Sequence, residues 1–351
     1  MPTARPLPLA ALALVATLAS ACADAERDPC EHRVCRIGDA ACVEQVATTV
    51  ACRMGLDELT IPEVRMATRA ELAAEIEANA TPISADQIQD VTDYYRGEAL
   101  VGLMDEQYVY GEDSTAFLDW AVAYYSNDTR DVVIITDNLG DDALRNYLVL
   151  VHELVHAYQD AQRDLGGLLD EHATTFDRFL GLRAMIEGEA EHLETIAAVE
   201  LDGLDPETVQ WNDYYDDYQD WALEQAETSL QPSFDVYAYF PYAFGGELVA
   251  DAWQAGGIDD VEPLFSTPPD SVRQVIAGYA AWPASQQNGD TRLAPHAAPM
   301  MPDRYEYLGG GHQSVWLLNS MLQRTADNPS DSRCTGYGGR SFYSGRIHSK
   351  G

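Results

Sequence analysis

The spacing of apolar residues changes near position 140, and with it the predicted structure. Asp131 to Asp137 is an apolar run bounded by acids, which reads as a buried strand, and Asn138 to Asp142 holds turn formers able to cap a helix. Beyond Asp142 the apolar positions Leu144, Tyr147, Leu148, Val151, Val155 and Tyr158 recur every three or four residues. That period predicts a helix ending at a stop formed by Leu165, Gly166 and Gly167, roughly 22 residues or about 33 Å long. Upstream, Ala121 to Tyr125 and Val132 to Ile135 flank the turn-forming Ser126 to Thr129, so a hairpin of a small antiparallel sheet should deliver the chain into this helix.

A second helical pattern follows, with Leu182, Met185, Ile186, Leu193 and Ile196 on its apolar side. The stretches Ile61 to Asn79 and Ala85 to Leu103 are helical by spacing, and a strand is expected near Gln107 to Tyr110. Asp202 to Ser229 is acidic and aromatic, carrying Trp211, Tyr214, Tyr215, Tyr218 and Trp221. Rings at helical spacing pack more often than they form a lid over a substrate. Pro263 to Pro302 should wrap the surface before a last helix, Gln313 to Ala326.

Within the first helix, His152-Glu153-Leu154-Val155-His156 is an HExxH motif, which sets two imidazoles one turn apart with a carboxylate between them. That geometry binds zinc and activates water. Zinc lowers the pKa of bound water toward neutrality, and Glu153 accepts the proton. A catalytic site needs a third protein ligand, and the second helix offers Glu187, Glu189 and Glu191. Glu187 and Glu189, two apart, cannot both face the metal, whereas Glu187 and Glu191 share a face. Gly188 costs about 1 kcal/mol relative to alanine in mid-helix, which a close backbone approach to the HExxH helix would explain. Asp160, one turn after His156, either bonds within the site or lies on a wet face.

HExxH followed on a later helix by Glu187-Gly188-Glu189-Ala190 resembles the Glu-Gly-x-Ala signature of zinc metallopeptidases with a glutamate third ligand. The resemblance implies a zincin-like fold with Glu187 as third ligand. Glu191 takes the place of a carboxylate, often Asp in the family, that orients a ligand histidine. Tyr124-Tyr125, the run from His152 to Asp160, Phe240-Pro241-Tyr242 and Thr267-Pro268-Pro269 extend the likeness to a bacterial group of such proteins, over Glu98 to Ala326. In such enzymes a Tyr or His stabilises the oxyanion; Tyr242 and His312, beside Gly309 to Gly311, are the candidates, with Tyr242 preferred.

The amino terminus reads as an export signal. Arg5 precedes an apolar stretch from Leu7 to Leu18, too short for an ordinary membrane span, and Ala19-Ser20-Ala21 fits a cleavage site, so residues 1–21 read as a signal peptide. Cys22 then resembles a lipidation cysteine of an outer-membrane or cell-surface lipoprotein; without lipidation the protein would be periplasmic or secreted. Cys30, Cys35, Cys42 and Cys52 suit two disulfides in an anchor and Cys-rich module at 22–59, leaving Cys334 odd. Residues 60–326 form the metallopeptidase-like domain, and the Gly-, Ser- and Arg-bearing tail at 327–351 has the composition of disorder.

With 58 acidic against 21 basic residues the formal charge is −37, which argues against nucleic acid and leaves a lipid anchor as the one route to a membrane. The expectation is an α+β, mainly helical zinc metallopeptidase acting on peptides or proteins through Glu153, with ligands His152, His156 and Glu187. A non-catalytic surface lipoprotein with a structural zinc, or a zinc hydrolase of a non-peptide amide or ester, are the alternatives. Oligomeric state is not encoded in any pattern of the chain.

Overall fold

The computed structural model describes residues 30–56, 60–80 and 115–276, apart from 173–175 and 229–231, with residues 84, 88, 89, 92 and 96 between them. The expectations for the signal peptide, Cys22, Cys334, His312, the strand near Gln107, the last helix and the tail lie outside these residues, as does most of the Ala85 to Leu103 helix.

The fold is mainly helical with one small sheet. In chain order the elements are α1 (Ala40–Arg53), β1 (Glu63–Ala67), α2 (Arg69–Asn79), β2 (Ala123–Ser126), β3 (Asp131–Ile135), α3 (Ala143–Arg163), α4 (Leu165–His172), α5 (Phe176–Leu201), α6 (Trp211–Thr228), α7 (Pro232–Gly256), α8 (Ile258–Ser266) and α9 (Val272–Ile276). The sheet has the order β1-β3-β2 and is mixed, not antiparallel: β2 pairs antiparallel with β3, but β1 runs parallel to it, with Glu63 opposite Asp131 and Ala67 opposite Ile135. Its central strand is buried at every residue. Val132 and Ile134 enter the core beneath α1, α3 and α5, while Val133 and Ile135 enter a smaller core with Leu72 and Leu118. A strand covered on both faces has no polar alternation, which is why this segment reads as one apolar run.

β1 corrects the helix expected over Ile61 to Asn79. Its first half is extended because it pairs with a strand 68 residues further on, and Arg65 Nε donates to Asp131 at 2.8 Å across that pairing. The helix begins only after Thr68, whose hydroxyl accepts from the Glu71 amide while Glu71 accepts from the Thr68 amide, a capping box.

α3 starts where expected: the Asp142 carboxylate caps it by accepting from the Leu144 and Arg145 amides. The stop differs. α3 ends at Arg163 with Asp164 left-handed at φ 50°, and the Leu165 to Gly167 segment opens the short helix α4 instead of a loop. Cys30–Cys52 encloses Cys35–Cys42 in a nested pair of disulfides, and the stapled α1 packs through Val46, Ala47 and Val50 into the core that holds Tyr147, Leu150 and Leu154 of α3. Helices α5 to α9 build a second core around Met185, Phe240 and Val249. Pro263, expected in an irregular wrap, lies inside α8, and Pro268 is buried.

Candidate metal centre

α3 packs into the first core through Tyr147, Leu150, Val151, Leu154 and Val155, and the same helix carries polar residues inward. His152 and Glu153 are less than a tenth exposed, and the rings of His152 and His156 meet edge to face with centroids 4.8 Å apart. α5 crosses this face and brings in Glu187. Its Oε2 stands 3.5 Å from His152 Nε2 and 3.4 Å from His156 Nε2, and the three ligand atoms lie within 4.8 Å of one another. Those separations are long for an N–H···O hydrogen bond. They match the edge of a tetrahedron whose metal–ligand bonds are 2.0–2.1 Å, which is about 3.3 Å. The donor set therefore fits zinc.

Each imidazole is held by its other nitrogen. His152 Nδ1 lies 3.0 Å from Glu194 Oε2, an atom that as part of a carboxylate can only accept, so Nδ1 carries the proton and Nε2 is free to ligate. His156 Nδ1 lies 2.8 Å from Gln159 Oε1. The orienting carboxylate for His152 is thus Glu194, seven residues after Glu187, and not Glu191. Glu191 sits close by, accepting from Thr195 Oγ1 at 3.5 Å, and burial with the neighbouring Glu194 charge pushes its pKa up to about 8.

Glu189 faces away from the histidines. It is fully buried and doubly paired with Arg163, at 2.6 and 3.2 Å, which answers the choice among the glutamates: Glu187 meets the histidines and Glu189 does not. Arg183, one turn before Glu187, donates to the distal oxygen Oε1 at 3.0 Å and leaves Oε2 for the histidines. Burial opposes the Glu187 charge, but the two facing imidazoles and the Arg183 cation outweigh it and hold the carboxyl well below its usual range.

Glu153 points to the sheet side, beside the Tyr125 backbone of β2; burial lifts its pKa and the two imidazoles pull it back. Tyr242 of α7 stacks on His152 at 6.0 Å and lies beside Glu187 and Arg183. Burial, then the Glu187 charge, keeps that phenol protonated far above neutrality, so it remains a donor. Asp160 is neither ligand nor wet: it accepts from Tyr125 Oη at 2.8 Å and the Leu165 amide at 3.0 Å and pairs with Arg130. It ties the hairpin to the end of α3. Gly188 does meet a backbone, though a different one from that expected. A Cβ there would stand 2.3 Å from the Gly245 carbonyl carbon of α7, not against α3.

Glu194, Gln159 and Arg183 escaped the reading of the chain. Their spacings, seven after Glu187, three after His156 and four before Glu187, were available, but in a chain so acidic such spacings are common. The chain matches no protein-family model, no curated protein and no solved structure.

Proposed function

We propose that this protein is an exported zinc-dependent peptidase in which His152, His156 and Glu187 hold the metal and Glu153 is the general base. The observation that carries the reading is the convergence of two imidazole Nε2 atoms on one carboxylate oxygen at tetrahedral-edge distance, with a buried carboxylate from the same helix turn beside them. Zinc in that position supplies Lewis acidity, polarising a substrate carbonyl and acidifying water.

Glu153 accepts a proton from the attacking water and passes it to the leaving amine, a role suited to a carboxylate whose pKa burial has raised. Arg183 keeps Glu187 ionised and turned toward the histidines. Tyr242, protonated and adjacent, is our choice for the oxyanion donor. One further feature supports an exported setting: the nested disulfides belong to an oxidising compartment. Lipidation of Cys22 remains part of the proposal.

Zinc content and hydrolysis of a mixed peptide library, compared between the wild type and Glu153→Gln, test the function. Glu153→Gln should hold one zinc and lose cleavage by at least about 100-fold, the contribution of a positioned general base. A wild type that holds zinc but cleaves no peptide would sink the peptidase reading in favour of a structural metal or a non-peptide amide or ester.

A further inference from the structure

Gln159 is wholly buried one turn beyond His156, and the orientation of its amide is decided by what lies on its nitrogen side. Nε2 stands 2.8 Å from the Ile186 carbonyl oxygen and 2.9 Å from Glu189 Oε2, both of which can only accept. The nitrogen must therefore face these two groups, and the oxygen must face His156 Nδ1 at 2.8 Å. An amide oxygen offers no proton, so Nδ1 must bear one. Glu189 is itself immobilised by the bidentate contact with Arg163, whose guanidinium also lies 3.7 Å over the Phe265 ring and pairs with Glu262 of α8.

From this chain of single-valued hydrogen bonds we infer that Gln159 is a positioning residue for the metal centre. Held by the Glu189–Arg163 pair, it keeps the proton of His156 on Nδ1 and the Nε2 lone pair turned toward Glu187. The inference rests on the metal-binding reading, and it assigns a use to a buried ion pair that holds no ligand of its own. It also separates the two histidines, since His152 leans on the anion Glu194 and His156 on a neutral amide whose anchor, Glu189, has its charge balanced by Arg163. Removing such a support typically weakens a site by about 10- to 100-fold.

The test uses the full chain with ¹⁵N-labelled imidazoles, first metal-free and then with zinc. A long-range ¹H–¹⁵N spectrum should show the proton of the neutral His156 ring on Nδ1 and not on Nε2. Gln159→Met, which matches the side chain in length but makes none of the three hydrogen bonds, should fold with the wild-type circular dichroism and bind zinc about 10- to 100-fold more weakly. A bare Nδ1 with the proton on Nε2 in the metal-free wild type overturns the inference. So does a folded Gln159→Met with wild-type zinc affinity. If that variant does not fold, the wild-type spectrum decides alone. A wild type that takes up no zinc would bring down the proposed function, while the metal-free spectrum would still report on Gln159.

Discussion

Tyr242 has one hydroxyl and two uses for it, and the two can be told apart. Glu187 already receives Arg183 and faces both histidines, so losing the neighbouring Tyr242 hydroxyl should cost it at most about 1 kcal/mol, or less than about tenfold in zinc affinity. An oxyanion donor is needed only as the reaction proceeds. We expect Tyr242→Phe to lower kcat by about 100-fold with nearly unchanged zinc binding, measured by peptide turnover and by titration with a chromogenic chelator. A loss confined to zinc affinity would assign the hydroxyl to Glu187 alone. His192, next to Glu191 on α5, sets a limit on acid stability. It is fully buried against Trp211, Tyr215 and Trp253, its Nε2 has no hydrogen-bond partner among the described residues, and burial lowers its pKa to about 3. The unfolded chain takes up that proton near pH 6.5 and the folded chain does not, so this contribution is present above pH 6.5 and is lost as the pH falls toward 3. Between pH 7 and 5 the loss should be about 2 kcal/mol, and a His192→Phe variant followed by urea unfolding should lack that part of the pH slope.

Among the helices, the crossing of α5 and α7 decides where Glu187 stands. A Cβ on Gly245 would sit 1.9 Å from the Ala184 carbonyl oxygen, and one on Gly188 would sit 2.3 Å from the Gly245 carbonyl carbon, so each glycine faces rigid backbone. Gly245→Ala must push the helices apart. We expect a loss of about 1–3 kcal/mol or more in thermal unfolding, accompanied by weaker zinc binding because Glu187 adjoins Gly188. Gly166→Ala in α4, where a Cβ meets nothing within 4 Å, should be neutral or stabilising by up to about 1 kcal/mol. The elements that sequence patterns located well, α3, β3 and α5, are those with a long stripe or an unbroken apolar run. β1 and α4 were not legible. β1 is five residues long and is extended only because β3 accepts it, and α4 carries two glycines that locally argue against a helix.

At the scale of the whole molecule, a formal charge of −37 repels itself, and the described ion pairs neutralise only part of it. Raising NaCl from about 20 mM to about 500 mM shortens the screening length from roughly 20 Å to below 5 Å and should raise the melting temperature by a few degrees. A fall would mean that local pairs such as Arg163–Glu189 outweigh the general repulsion. The mainly helical character of the fold, the HExxH pair, the base between its histidines and the shortlist of downstream glutamates all follow from the sequence alone. They are properties of one helix or one hairpin, where neighbours in space are three, four or two residues apart. Which glutamate faces the histidines, that Glu194 holds the His152 Nδ1, which backbone Gly188 admits and that β1 joins the sheet in parallel were decided by tertiary packing. Those contacts join residues 26 to 68 positions apart, and no local period records them.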